Sequence, residues 1–199
     1  NSSNHYWINN SQLVRDDAYG SFYIGDVLEG RTLFWAGERF GFGLYQAGQL
    51  SRAFVFNARE RGINDQVAIP TLPGQLIDAT CVVGDKLAWF MAQSQEEGRI
   101  VNRCYVVDAR GAVVAEEAAQ IDDESWLASG IRGHFASGSS LFVATDEGVM
   151  RITADGGILR VDQTFPDTAE FVDSNTQLLP GKGGIYAINA REIYHLTLS

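Results

Sequence analysis

Residues 134–162 read HFASGSSLFVATDEGVMRITADGGILRVD, and this stretch decides the fold. Four short apolar or β-branched runs, at 134–138, 141–145, 149–153 and 158–162, are separated by Ser137-Gly138-Ser139, Asp146-Glu147-Gly148 and Asp155-Gly156-Gly157. Glycine and aspartate at such joins accept the positive backbone angles of tight hairpins. The stretch therefore predicts a four-stranded antiparallel meander.

The pattern recurs upstream. Predicted strands at 77–83, 86–92, 101–108 and 113–116 turn at Gly84-Asp85 and at Asp108-Ala109-Arg110-Gly111. A further set is predicted at 21–26, 31–36, 42–46 and 51–56, and a last, shorter one at 176–179, 185–188 and 193–198. The anchors Leu33, Leu87, Leu141 and Ile185 are 54, 54 and 44 residues apart, the mark of a repeat architecture. Residues 6–8 and 13–15 read as the end of a unit rather than its start, and can be laid beside 149–160.

The runs LFWA, LAWFMA, LFVA and IYAI do not alternate between apolar and polar. A sheet with one wet face alternates; a strand covered on both faces does not. Each unit is thus expected to lie between two neighbours. The fold class is all-β: a single domain over 1–199, with about four four-stranded antiparallel blades closed into a ring by the N- and C-terminal strands. Closure of that kind removes an exposed sheet edge. The alternatives are a piece of a larger ring, such as the C-terminal part of a longer protein, and a β-sandwich with loops over its second face. Only 114–128 has helix-like composition.

The unit, with its Gly-bearing first turn, apolar second strand and Asp-Gly third turn, resembles a β-propeller blade. The resemblance is generic and covers almost the whole chain. No Trp-Asp pair closes a strand, and Gly156-Gly157 and Gly183-Gly184 fall at non-equivalent places, so neither the WD nor the kelch pattern is present.

Composition narrows the function. The chain has 199 residues, 45% of them apolar, and 15 Lys plus Arg against 25 Asp plus Glu, a net charge of −10. This points to a soluble globular domain. It argues against partners held through phosphates, whether nucleic acid or an anionic membrane, because both need positive charge. No apolar run reaches the roughly 18 residues of a membrane helix, no signal peptide is visible, and the compartment is not fixed. Cys81 and Cys104 are expected on strands separated by a third, about 9.6 Å apart and too far for a bridge, hence free and buried.

No G-x-S-x-G, H-E-x-x-H, P-loop or calcium-loop pattern occurs, and no cofactor is expected. His5, His134 and His195 are read as incidental strand residues; ring closure would put His5 and His195 in one blade. Charge is the more informative signal. The joins at 37–41, 59–75, 93–99, 121–132, 146–148 and 166–172 should share one end of the blades, and they hold twelve acids against five bases, a net −7. The candidate binding residues there are Glu96, Glu97, Asp122, Asp123, Glu124, Asp146 and Glu147, with Trp126 as an exposed anchor among them. The expectation is a non-enzymatic binding or scaffold module that offers this acidic face to a basic protein partner. The alternatives are a propeller hydrolase or lyase with a cation held by carboxylates such as Asp78, Asp122, Asp146 and Asp173, and a carbohydrate-binding propeller using its aromatic residues.

Overall fold

A computed structural model describes residues 5–198 apart from 10–11, 18–19, 27–30, 38, 48–49, 58–62 and 68–71. No α-helix occurs among the described residues; a single 3-10 turn spans Pro166–Thr168. The strands form five antiparallel sheets, each built from consecutive strands. Sheet 1 holds β1 (His5–Asn9), β2 (Gln12–Asp17) and β3 (Gly20–Asp26). Sheet 2 holds β4 (Arg31–Ala36), β5 (Phe40–Ala47), β6 (Leu50–Asn57) and β7 (Ile63–Val67). Sheet 3 holds β8 (Gln75–Val83), β9 (Leu87–Glu96), β10 (Arg99–Asp108) and β11 (Val113–Gln120). Sheet 4 holds β12 (Gly133–Ser137), β13 (Ser140–Thr145), β14 (Gly148–Asp155) and β15 (Ile158–Phe165). Sheet 5 holds β16 (Gln177–Gly181), β17 (Gly184–Ile188) and β18 (Ile193–Thr197).

The two meanders predicted across 77–116 and 134–162 are sheets 3 and 4. The N-terminal half differs by one strand. β3, expected to open a unit with β4, pairs with β2 instead. Sheet 2 ends in β7, sequence INDQV, a polar strand that lacks the apolar signature. The reason is that an apolar run marks burial on both faces, not a position within the sheet. β4 was equated with β9 on that ground, but β4 is the first strand of its sheet and β9 the second. The count is therefore five sheets rather than four. The expected shared sheet of the two chain ends is not formed among the described residues: β1–β3 and β16–β18 each make a three-stranded sheet of their own. Residues 113–120 also depart from their helix-forming composition. AEEAAQ lies within β11 because Ala115 and Ala119 alternate inward with exposed neighbours, and burial at period two outweighs a weak local preference.

Neighbouring sheets pack face to face in chain order. Phe42 and Leu44 of sheet 2 meet Phe90, Ala92 and Tyr105 of sheet 3. Trp35, Phe42, Phe90 and Tyr105 form a run of rings with centroids 5.3–6.4 Å apart across this interface. On the opposite face of sheet 3, Trp89, Met91 and Val106 pack on Leu141, Val143 and Ile152 of sheet 4. Phe142 and Val149 then pack on Leu178 and Ile185 of sheet 5. Trp89 and Phe90 are fully buried on opposite faces of one strand, the two-sided cover expected of LAWFMA, and LFVA of β13 has it too. Each such side chain contributes about 1.5–3 kcal/mol through burial. IYAI of β17 instead alternates, with Ile185 and Ala187 buried and Tyr186 exposed, because sheet 5 is covered on one face only among the described residues. The outward face of sheet 5 leaves Leu179, Tyr186 and Ile193 exposed.

First strands touch first strands: β4 packs on β8, β8 on β12 and β12 on β16. The last strands of neighbouring sheets meet likewise, β3 with β7 and β11 with β15. Close approach at the first turns needs glycine. A Cβ on Gly37 would sit 2.9 Å from the Gly84 carbonyl oxygen and 3.0 Å from Val83 Cγ1. One on Gly84 would lie 3.5 Å from Ala136 Cβ and 3.9 Å from the Gly138 carbonyl oxygen. Inside sheet 2, Gly41 and Gly43 are cross-strand partners of Phe56 and Phe54 in mid-strand, and a Cβ on either glycine would fall inside the facing ring.

Cys81 and Cys104 are free and buried, on β8 and β10 with β9 between them, as expected. Burial pushes both thiols well above their ordinary range.

Candidate functional site

Antiparallel order fixes which connections share an end of a sheet. The joins β9–β10, β11–β12, β13–β14, β15–β16 and β17–β18 lie at one end, and β4–β5, β8–β9, β10–β11, β12–β13, β14–β15 and β16–β17 at the other. The one-strand shift in sheet 2 moves the β4–β5 join, with Arg39, to this second end and places Asp65 inside β7; Glu38, Arg59, Glu60 and Arg61 lie outside the described residues. That correction takes three acids and three bases away from the first end and leaves its net charge unchanged. Among the described joins, the first end carries ten acids (Glu97, Asp122, Asp123, Glu124, Asp146, Glu147, Asp167, Glu170, Asp173 and Glu192) against Arg132 and Arg191, a net −8. The second end carries Arg39, Lys86, Arg110 and Lys182 against Asp85, a net +3. Arg39, Lys86 and Arg110 line a cleft of about 460 Å³ between sheets 2 and 3. Asp108 closes the β10–β11 turn at this end by accepting from the Arg110 and Ala112 N–H groups at 2.9 and 3.0 Å and from the Arg110 guanidinium at 2.9 Å.

The candidate acids fall into two groups. Some are committed within the chain. Glu96 accepts from Ser94 Oγ at 2.8 Å and pairs with Arg103 at 3.2 Å. Asp123 accepts the Gln120 N–H at 2.7 Å and so turns the chain at the end of β11. Asp146 pairs with Arg132 at 3.2 Å, an exposed pair of small energetic value. Glu97, Asp122, Glu124 and Glu147 are exposed at the acidic end. Glu97 sits at φ 48°, where the β9–β10 turn projects it outward.

Trp126 is not an exposed anchor. It is 6% exposed and belongs to the core between sheets 3 and 4. Its Nε1 donates to Glu117 Oε2 at 3.0 Å, and Ser125 Oγ donates to Glu117 Oε1 at 2.8 Å. An apolar ring within an acidic stretch reads as a surface feature, but a long connection must bury something to be held, and Trp126 does that. Glu117, the residue on which the connection hangs, gave no sequence signal beyond lying on an inward position of β11.

The tethered connection roofs a cleft of about 300 Å³ between itself and sheet 3. On its floor Asp78, Gln93 and Asn102 face one another across β8, β9 and β10 as a single cross-strand rung. Gln93 Nε2 donates to Asn102 Oδ1 at 3.1 Å, and Asn102 Nδ2 donates to the Leu127 carbonyl at 2.8 Å. Below this polar rung lie Thr80, Met91 and Cys104, then Val82, Trp89 and Val106. A second cleft, of about 540 Å³, opens beside Glu96, Glu97 and Arg99.

The carboxylates considered for an axial cation do not assemble: among the described residues no three His, Cys, Asp or Glu side chains come together as metal ligands would. Asp173 instead accepts the Asn175 N–H at 2.8 Å in a local turn. His5 and His195 lie in different sheets, His195 packing on Tyr186 with ring centroids 4.9 Å apart. Trp89 is fully buried and Trp35 packs against the sheet 2–sheet 3 core, so these two rings serve packing. Among the described residues no helix is long and apolar enough to cross a membrane.

No family model and no curated protein matches the sequence. Among solved structures the chain is similar to apo AztD from Citrobacter koseri, with 13% identity and a TM-score of 0.46 over 95% of this chain and 55% of that one. It is also similar to a second structure of Citrobacter koseri AztD, with 9% identity and a TM-score of 0.37 over 94% of this chain and 65% of that one. The chain thus spans between half and two thirds of the proteins it resembles.

Proposed function

We propose that the chain is a β-propeller-like, non-enzymatic interaction module whose acidic end receives a basic segment of a protein partner. The serial packing of sheets, with first strands on first strands and last strands on last strands, supports the propeller-like reading. The functional reading rests on one observation, the separation of net −8 from net +3 between the two ends. Charge kept on one side, on connections rather than strands, steers an oppositely charged partner and orients it.

The test is binding of a biotinylated oligolysine peptide to the immobilised protein at about 0.05 M and about 0.5 M salt, over which the Debye length shortens from roughly 14 Å to roughly 4 Å. Affinity is expected to fall about tenfold or more across that range. The combined variant Glu97→Gln, Asp122→Asn, Glu124→Gln, Glu147→Gln should lose most of the low-salt binding without a change in melting temperature. Binding that ignores both the salt and the four substitutions would overturn the reading.

A further inference from the structure

The cleft between sheet 3 and the 121–132 connection has a directional hydrogen-bond chain at its floor. The Leu127 carbonyl can only accept, so Asn102 must present Nδ2 to it and turn Oδ1 toward Gln93. Gln93 must then present Nε2 to Asn102, and its Oε1 is left as an acceptor. Next to Gln93 in the same rung stands Asp78, whose Oδ1 takes the Ala79 N–H at 2.8 Å and whose second oxygen has no hydrogen-bond partner among the described residues. The floor therefore offers the cleft acceptors, one of them charged. Around them the lining is apolar: Met91, Ile121, Leu127 and Ile131. The roof is held in place by the Glu117 anchor and contributes Asp122, Asp123 and Glu124 just outside.

From this arrangement we propose that the cleft is a binding site for a primary ammonium or guanidinium group carried on an apolar stem. The cation would meet the Asp78 carboxylate and Gln93 Oε1, and the stem would lie along Met91, Leu127 and Ile131. A volume of about 300 Å³ suits one such group and lies at the small end of ligand pockets. A free amine and a lysine or arginine side chain of a partner share this chemistry. The inference goes beyond acidic-end steering, because it depends on a fixed rung and not on net charge.

The experiment is titration of the whole chain, followed by chemical shifts or calorimetry, with phenethylammonium and with its neutral counterpart 2-phenylethanol. The wild type is expected to prefer the ammonium by about tenfold or more, the range of one charge-assisted hydrogen bond. Asp78→Asn should erase that preference, Asp78→Glu should keep part of it, and Asp155→Asn at the far end should leave it unchanged. Asp78 is exposed, so none of these changes threatens the fold, and melting temperatures verify this. A parallel arm compares acetyl-Gly-Lys-Gly-amide with its norleucine analogue. Selective binding of the lysine peptide assigns the source to a partner side chain; selectivity confined to the free amine assigns a small molecule. Both support the site. Equal binding of ammonium and alcohol, absence of binding by both, or full retention of the preference in Asp78→Asn would overturn it. The four-acid variant separates this inference from the acidic-end reading: it should lose oligolysine binding and retain the ammonium preference. If oligolysine binding fails while that preference holds, only the acidic-end reading falls.

Discussion

The 121–132 connection offers a sharp test, because its attachment concentrates on one carboxylate. Glu117 Oε2 takes the Trp126 indole N–H at 3.0 Å, and Glu117 Oε1 takes the Ser125 hydroxyl at 2.8 Å. Glu117→Ala removes both acceptors. Hydrogen bonds to a charged group contribute about 1.5–3 kcal/mol each, and an indole N–H left unsatisfied in a buried place costs about 1–3 kcal/mol. Glu117 is only half-buried, so water can replace part of what is lost, and the expected destabilisation is about 2–3 kcal/mol. Trp126→Phe removes the donor and some packing area of a ring that is 6% exposed. If the two residues act through their hydrogen bond, the double variant should be less destabilised than the sum of the singles by about 1–2 kcal/mol. The assay is urea unfolding of the four proteins with the m-value held common. Additive effects, or a Glu117→Ala cost below about 0.5 kcal/mol, would refute the tether.

Other outcomes follow from the packing. Phe90→Ala, at the centre of the ring run between sheets 2 and 3, should cost about 3–5 kcal/mol, read by thermal or urea unfolding. Gly41→Ala should destabilise by more than the reverse of a simple propensity gain, at least about 1–3 kcal/mol of overpacking, because the facing Phe56 ring is fully buried and cannot move aside; an unchanged midpoint would contradict the ring-over-glycine geometry. The thiols supply a pH dependence. Their folded pKa values are raised, so the unfolded chain ionises first, near pH 8.5. Stability is then fully present below that pH and falls as pH rises through it, by about 1.4 kcal/mol per pH unit per thiol. Cys81→Ala together with Cys104→Ala should flatten that slope in urea midpoints between pH 8 and 10 (approximate working range of the unfolded thiol). Reaction of the native thiols with a disulfide reagent should track global unfolding.

What could be read in the sequence, and what could not, divides along physical lines. Sheets 3 and 4 were legible because their turns carry glycine at positions such as Gly138, Gly148, Gly156 and Gly157, all at positive φ, and because the second strand of each is buried on both sides. β7 was not legible: INDQV has a strand's length but no apolar face, and its loss displaced every strand before it by one position. That slip in turn assigned the β4–β5 connection to the wrong end, although its Glu38 and Arg39 cancel in charge. The acidic end itself was legible, since aspartate and glutamate cluster on joins that alternate in position along the chain. Trp126 was misread because local composition describes a residue's neighbours in sequence, and its neighbours in space come from β11. The floor of the cleft was visible only in part. Asp78 was one of four carboxylates considered for a cation, but Gln93 and Asn102 acquire meaning from register, which pairs them across two hairpins.

The glycine contacts at the first turns have a geometrical outcome. At Gly37 a Cβ would stand 2.9 Å from the Gly84 carbonyl oxygen, so sheets 2 and 3 come together nearly backbone to backbone at one margin. Further along, Phe42 and Phe90 fill the space between the same two sheets. Pinched on one side and propped on the other, the sheets spread like the leaves of a fan. The opening angle of each leaf is then a matter of side-chain volume in mid-sheet. Trimming or enlarging those few rings would change that angle, with the connecting segments left untouched.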